Sequence, residues 1–351
     1  MNVFIARSPY HALLAHAVCM AERGDAEPEE YPATLIYSGT SLDAIGSIVS
    51  EHYWTNILHF SNRDNAWTSW RSGAIAAWVQ QHFSSTTVDT VYLSDDMNWR
   101  DQLLEYYLNA PERCLIEDGI GSYYEAKLST KQRVFRNTVL RAAFAGKLRN
   151  YQAVSRSRGN RYFAVNPLAF PWIQDRRQVN TIEDELRRYV SQLSSSHSDP
   201  DGGTQPELFF LTQPFYESDL LTRKQDLLRH GSLASRFHRV NEVLVKKHPR
   251  ELDEMFEGRV SAIASALPEA RVVSSTSPLP AELLSIQAGT ESTFVSFTST
   301  ALINIKHLRP DLVVYFHPVG VDDSVASLFS RLGIRRAPEN SRDNQESANA
   351  D

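Results

Sequence analysis

Three short runs in the 351-residue chain place side chains capable of acid–base or phosphate chemistry directly behind apolar segments. The first reads Cys114-Leu115-Ile116-Glu117-Asp118-Gly119-Ile120-Gly121. An apolar strand that ends in acids delivers a carboxylate to a sheet edge, where it can serve as a general base. The glycines, Gly119 first, let a ligand approach the backbone. Successive residues of an extended chain point to opposite faces, so only one of Glu117 and Asp118 can aim at a given reacting atom. A tight turn whose acids cap the next element would use the same residues.

The second run is Val243-Leu244-Val245-Lys246-Lys247-His248-Pro249-Arg250. Proline biases the residue before it toward extended backbone, which holds His248 at the strand's end rather than in a helix. An imidazole among Lys246, Lys247 and Arg250 suits an anionic ligand, which it could protonate as that ligand departs. A solvated edge with incidental charge is the bland alternative. His317-Pro318 repeats the pair without the basic flank and ranks well below it. The third run, Phe294-Val295-Ser296-Phe297-Thr298-Ser299-Thr300-Ala301, ends a strand in hydroxyls ahead of an apolar helical stretch. Ser299 or Thr300 can cap that helix, and the same helix start can hold a phosphate through its free N–H groups. Each run is weak alone. Together they describe a base in the first half and a leaving-phosphate cradle in the second, the parts needed for group transfer from a phosphate-activated donor.

The elements that must carry these residues are short apolar strands alternating with helical periodicity, the pattern of parallel α/β architecture. Strands are expected at 3–6, 33–37, 57–60, 90–93 and 114–117, with helices at 11–23, 42–51, 67–83 and 99–108. A polar Ser/Gly/Asp/Pro stretch at 191–206 reads as a linker. Beyond it, strands are expected at 208–212, 243–247, 271–274, 293–297 and 312–316, and helices at 219–230, 234–240, 252–266, 281–287 and 324–332. The division is therefore 1–190, a linker at 191–206, 207–338, and a polar tail at 339–351 expected to be disordered. Two Rossmann-like α/β domains facing a cleft follow, with ligands at the carboxyl ends of their strands.

Composition narrows the function. The chain is 42% hydrophobic and 22% charged with a net charge of -6, which argues against a nucleic-acid binder. Cys19 and Cys114 lie in or beside apolar stretches, as buried free thiols of a reducing compartment would. No apolar run nears the ~20 residues that cross a bilayer, and Arg7, Ser8, Pro9 and His11 interrupt the opening run, so it reads as strand then helix rather than a signal peptide. A cytoplasmic protein is expected. So is the absence of a metal: Asp199-Pro200-Asp201 falls in the linker, Asp95 and Asp96 diverge and read as a helix start, and no zinc spacing occurs. From 126 to 174 there is no Asp or Glu. That basic stretch, 127–161, is either a solvated face or a surface for anionic acceptors or the anionic inner leaflet. Leu140, Ala143, Phe144 and Leu148 recur at helical spacing, so 136–151 reads as a basic amphipathic helix.

With these residues in order, the chain resembles the bacterial sialyltransferases, in particular the lipooligosaccharide sialyltransferase and polysialyltransferase families. The matching motifs are Glu117-Asp118-Gly119, His248-Pro249 and Ser299-Thr300, with Ser8-Pro9-Tyr10-His11 and Leu211-Thr212-Gln213-Pro214 adding to the likeness. The resemblance implies a GT-B fold with an acceptor-side first domain and a nucleotide-binding second one. It implies metal-independent, inverting transfer from CMP-sialic acid to a glycan or glycolipid acceptor. By it, Asp118 is the base, His248 meets the departing CMP phosphate with Ser299 and Thr300, and Glu117 supports the loop. Cytidine would be recognised near 249–252, starting at Pro249, and near the Gln213-Pro214 loop, with Lys247 also among the residues that bind the donor nucleotide or its phosphate. A GT-B transferase using CMP-Kdo or a UDP-hexose, a non-catalytic nucleotide- or glycan-binding protein, and a sugar-nucleotide epimerase or hydrolase remain as alternatives.

Overall fold

A computed structural model describes the chain apart from residues 28, 40–41, 61–72, 124–127, 151–158, 197–204, 278, 320–322 and 340–351. It divides into two compact units, Met1–Leu193 and Ser194–Asp351. The first is built on strands β1 (Asn2–Ala6), β2 (Ala33–Tyr37), β3 (Asn56–His59), β4 (Thr90–Leu93), β5 (Glu112–Ile116), β6 (Arg161–Ala164) and β7 (Val179–Thr181). They form one sheet in the order β3-β2-β1-β4-β5-β6-β7, every pair parallel. The second unit carries β8 (Leu208–Leu211), β9 (Glu242–Lys246), β10 (Arg271–Ser275), β11 (Thr293–Ser296), β12 (Val313–Phe316) and β13 (Arg335–Arg336). Their order is β10-β9-β8-β11-β12-β13, again parallel throughout.

Parallel strands are covered on both faces, so their sequences run apolar without alternation. VFIA of β1, ATLIY of β2 and LFFL of β8 are buried along their whole length. Phe4 of β1 stacks on Tyr92 of β4 with ring centroids 4.1 Å apart. Strand order reverses between β1 and β4 and again between β8 and β11. Such a reversal opens a crevice at the carboxyl edge of the sheet, because neighbouring connections leave in opposite directions.

All ten strands expected from the sequence are present with small shifts at their ends. Three more are present: β6, whose buried YFA run was not among the strands expected, and β7 and β13, which are short and polar. The helix expected at 42–51 reduces to Asp43–Gly46 and a 3-10 turn at Glu51–Tyr53, since Gly46 and the β-branched Ile48 and Val49 weaken it. The helix expected from 219 begins at Arg223, where Thr222 and Gln225 form a capping box, and 234–240 holds one 3-10 turn, Ser235–Phe237. Of 67–83, the described part is helical over Ala74–Phe83. The helix Glu183–Ser196 continues into the stretch read as a linker from 191. Residues 197–204, with Asp199 and Asp201, lie outside the described residues, as does most of the 339–351 tail.

The basic stretch folds differently from expectation. Its helix runs over Thr130–Val134, passes through a π-helical turn at Phe135–Leu140 and stops after Arg141–Ala143. Ala145 and Gly146 follow with positive φ of 50° and 78°, a left-handed pair that ends helices. Phe144 then stacks on Trp99 at 5.0 Å and Leu148 is buried, so the face expected to be free is packed on the protein. Val134, Phe135 and Val139 are the exposed apolar side chains instead. Lys127, Arg156 and Arg158 lie outside the described residues. Both cysteines are free and buried, and burial pushes each thiol up to about 12. Among the described residues, no helix is long and apolar enough to cross a membrane.

Candidate active site

Every candidate residue in both units follows the carboxyl end of a strand. In the first unit, β5 ends at Ile116 and delivers Glu117 and Asp118. Alternation sends the two acids to different environments. Glu117 is 0% exposed. Its Oε1 accepts from Tyr10 Oη at 2.9 Å, and its Oε2 from Tyr123 Oη at 3.0 Å and Val165 N at 2.9 Å. Asp118 keeps a side-chain exposure of 26%, and its Oδ1 stands 2.8 Å from His11 Nε2. With Asp118 ionised, that nitrogen is the donor. The Asp118 N–H donates to Ser122 Oγ at 2.9 Å, and Gly119 has a φ of 74°, which an L side chain would resist.

His11 reaches this point because of how the helix Pro9–Arg23 begins. Ser8 is its N-cap, accepting from His11 N at 3.1 Å, and Pro9 sets the first turn. Tyr10 and His11 therefore project from the first turn after β1, toward Glu117 and Asp118 respectively. His11 Nδ1 is buried and has no partner among the described residues. Sequence reasoning noted the Ser8–His11 run only as a likeness. The pairing with Asp118 could be anticipated only by placing the ends of β1 and β5 on one sheet edge.

In the second unit, β9 ends at Lys246 and leads into His248-Pro249. His248 Nδ1 accepts the Arg250 N–H at 3.2 Å. An imidazole whose Nδ1 accepts carries its proton on Nε2, so the free tip is a hydrogen-bond donor even when the ring is neutral. Burial first, then the charges of Arg250 and Lys246, push His248 down to about 3. The basic flank is only partly available to a ligand. Lys246 is buried and donates to the carbonyls of Lys247 and Ser277, and burial lowers it to about 8. Lys247 pairs with Asp253. Pro249 and Arg250 are exposed.

Behind this turn lies a buried polar cluster. Thr212 Oγ1, just past β8, donates to Glu251 Oε2 at 2.8 Å, and His248 N donates to the same oxygen at 3.2 Å. Gln213 N donates to His230 Nε2 at 3.4 Å. After β11, Ser299 is the N-cap of the helix Thr300–Leu308, yet its side chain makes no capping bond. Thr298 Oγ1 beside it is buried with no partner among the described residues. The hydroxyls at this helix start are thus not consumed by capping, the use that the bland account gave them. His317 N donates to Ser296 O at 3.0 Å, tying the second His-Pro to β11.

Asp95 and Asp96 are not a helix start. Asp95 Oδ1 accepts from Met97 N at 3.0 Å and Asn98 N at 3.2 Å in a turn, and Asp95 pairs with Arg7. Asn98 caps the helix that follows.

The sequence model of the alpha-2,8-polysialyltransferase family matches residues 2–317, spanning β1 to His317 and all three motifs. The chain belongs to the alpha-2,8-polysialyltransferase family. No curated protein matches it. Among solved structures it resembles S. aureus MnaA with UDP at 12% identity, covering 99% of this chain and 86% of that one with a TM-score of 0.53. It also resembles a spinosyn forosaminyltransferase at 13% identity, covering 97% and 86%, with a TM-score of 0.52. At such identities the likeness shows the fold alone, which is GT-B. Family and fold make this alpha-2,8-polysialyltransferase relative a glycosyltransferase.

Proposed function

We propose that the protein transfers sialic acid from CMP-sialic acid to a hydroxyl of a glycan acceptor, with inversion and without a metal ion. The observation that carries this reading is the accessible Asp118 carboxylate, held by His11 at the carboxyl end of β5 beside a wholly buried Glu117. Asp118 takes the proton of the attacking hydroxyl, and the hydrogen bond from His11 Nε2 keeps the carboxylate aimed. Glu117 is the support: the Tyr10 and Tyr123 hydroxyls and the Val165 amide fix β5 against the helix start and the segment after β6. In the second unit, His248 offers its Nε2–H to the departing phosphate, with Ser299, Thr300 and the start of their helix as further donors. Transfer of charge onto that phosphate raises the proton affinity of His248, so hydrogen bonding can pass into protonation as the bond to the sugar breaks. Gln213, Pro249 and Lys247 border the expected base site.

A thermal-shift series with CMP, UDP, GDP, ADP and CoA tests the donor. Saturation at about 100 times the dissociation constant adds ~2.7 kcal/mol, a readily visible shift. A shift with CMP that His248→Ala largely removes is expected, together with transfer that persists in EDTA. A shift with UDP instead would replace the donor with a UDP-sugar. Turnover of donor without acceptor would indicate an epimerase or hydrolase, and nucleotide binding with no turnover a binding protein.

The exposed helix of the first unit suits an anionic lipid surface, and so a cytoplasmic enzyme working at the inner membrane on a lipid-linked acceptor. A π-turn bonds each residue to the fifth beyond it, which brings Val139 over Val134 and next to Phe135. These three are 53%, 52% and 54% exposed in the order Val134, Phe135, Val139. Lys131 and Arg133 flank them, with no acid nearby in sequence. Sedimentation with vesicles containing anionic lipid is expected, weakening with salt and with Phe135→Ser. Equal binding to neutral vesicles, or none, would remove this part of the proposal.

A further inference from the structure

Among the described residues, the largest fully buried side chain is Arg259, at 0% exposure on the helix Asp253–Ala266. It meets three carboxylates. Its Nε donates to Asp226 Oδ1 at 3.0 Å and Nη2 to Asp226 Oδ2. Nη1 and Nη2 donate to Glu217 Oε1 and Oε2 at 3.1 and 2.7 Å, and Nη1 lies 3.2 Å from Glu251 Oε1. Each carboxylate then holds backbone. Glu251 Oε2 accepts from His248 N, Glu217 Oε1 from Leu252 N at 3.1 Å, and Asp226 Oδ2 from Tyr216 N at 2.9 Å. Asp226 also pairs with His230 Nδ1 at 2.8 Å, and His230 accepts from Gln213 N.

Two loops are therefore tied to one guanidinium: the turn after β8, residues 213–217, and the turn after β9, residues 248–252. We infer that Arg259 is a positioning residue for nucleotide binding, fixing both loops in a single geometry through Glu217, Asp226 and Glu251. The inference rests on the proposed nucleotide site for its meaning, but its geometry does not depend on which nucleotide binds. A planar guanidinium spans three carboxylates at once, which the single ammonium of lysine cannot do. Burial makes the arrangement stiff, because a carboxylate released from it would stay charged and unpaired in the interior. The acids answer in kind. Burial alone would raise Asp226, but hydrogen bonds from His230 and Arg259 hold it below the usual carboxylate range. Glu217 is likewise held low by Arg259 against the pull of burial. In Glu251, burial wins over Arg259 and raises the carboxyl to about 7.

The test is amide hydrogen exchange on the unliganded full chain, followed by CMP affinity and acceptor KM. Arg259→Lys is expected to speed exchange at His248, Leu252, Tyr216 and Gln213 together, with β8 and β11 unchanged. The same variant is expected to bind CMP about tenfold more weakly or worse, while acceptor KM stays put. Unchanged protection at those amides, or loosening spread evenly through the unit, would overturn the inference. Should Arg259→Lys not fold, Glu251→Ala isolates one branch: His248 is expected to lose protection while Leu252 and Tyr216 keep theirs. Protection retained at His248 in that variant would equally overturn it. Exchange requires no nucleotide, so an unmutated protein that binds UDP in place of CMP would refute the donor reading and leave this result intact.

Discussion

The two units hold their chemistry-bearing side chains in opposite ways. In the first, the named donors to Glu117 are neutral, two phenols and one amide, and the adjacent Asp118 is aimed by a side chain, His11. In the second, Arg259 and its carboxyl partners Glu217, Asp226 and Glu251 lie behind the site, while His248 is fixed through its backbone N–H and by Arg250 N on its ring. The first unit orients a functional group directly, and the second sets a loop and lets the side chain follow. Substitutions should separate along the same line. Changes beside Asp118 should act on turnover, whereas changes behind His248 should act on the shape of the nucleotide site.

The largest effect is expected at Asp118. Asp118→Asn keeps the size and a hydrogen bond to His11 but removes the basic oxygen, so kcat should fall by about 10²–10⁴, the usual share of a general base. Because the residues proposed to meet the nucleotide belong to the other unit, the CMP-induced rise in Tm should survive. Steady-state kinetics and thermal shift on one preparation check both halves. Loss of CMP stabilisation along with turnover would erase the contrast between the units.

Next is Glu117, one residue away and opposite in character. Glu117→Ala takes the acceptor from the half-buried Tyr10 hydroxyl, the buried Tyr123 hydroxyl and the Val165 amide, and a buried group left unsatisfied costs about 1–3 kcal/mol. Loss of ~3 kcal/mol in urea unfolding of the first unit is expected. A variant of full stability with lost turnover would instead make Glu117 the base.

How much of this was legible follows from sequence separation. Strand ends could be read because each candidate run directly follows its own apolar strand: Glu117 and Asp118 after β5, His248 after β9, Ser299 after β11. Alternation along the chain also anticipated that Glu117 and Asp118 meet different surroundings. The pairing of His11 with Asp118 could not be read, since it depends on β1 and β5 standing on either side of β4. Arg259 was invisible for a related reason. It looks like one charge on an amphipathic helix, and its partners Glu217, Asp226 and Glu251 sit in three other segments. The basic flank misled in the reverse direction, because Lys246 is buried against carbonyls and Lys247 is occupied by Asp253. The π-turn at Phe135–Leu140 was also illegible, having no residue signature, and it moved the exposed apolar face from Leu140 and Phe144 to Val134, Phe135 and Val139.

A smaller effect concerns pH. Burial and the positive neighbours hold His248 near 3, below the ordinary 6.5 of the unfolded chain. Between those values the unfolded state binds the proton that the folded state refuses, so this group's contribution to stability is lost as pH falls from about 6.5 toward 3. His248→Gln lacks the titrating ring but keeps an amide donor. Its Tm should decline less steeply than that of the unmutated protein over the same window, and at neutral pH it should retain more CMP binding than His248→Ala. Parallel Tm profiles would mean that His248 is not held neutral in the free protein.

The smallest effect is the most discriminating for the second unit. A serine that caps a helix through its side chain contributes about 1 kcal/mol. Ser299 occupies the N-cap position without making that bond, and its backbone is extended at φ -125° and ψ 136°. Ser299→Ala should therefore change stability by less than about 0.5 kcal/mol. If its hydroxyl is one of the phosphate donors, CMP affinity should still drop, because the loss falls on the complex and not on the free protein. Chemical unfolding and CMP titration of the one variant decide the matter. A stability loss near 1 kcal/mol with unchanged CMP affinity would return Ser299 to capping, leaving His248 and the backbone N–H groups of the helix start to hold the phosphate.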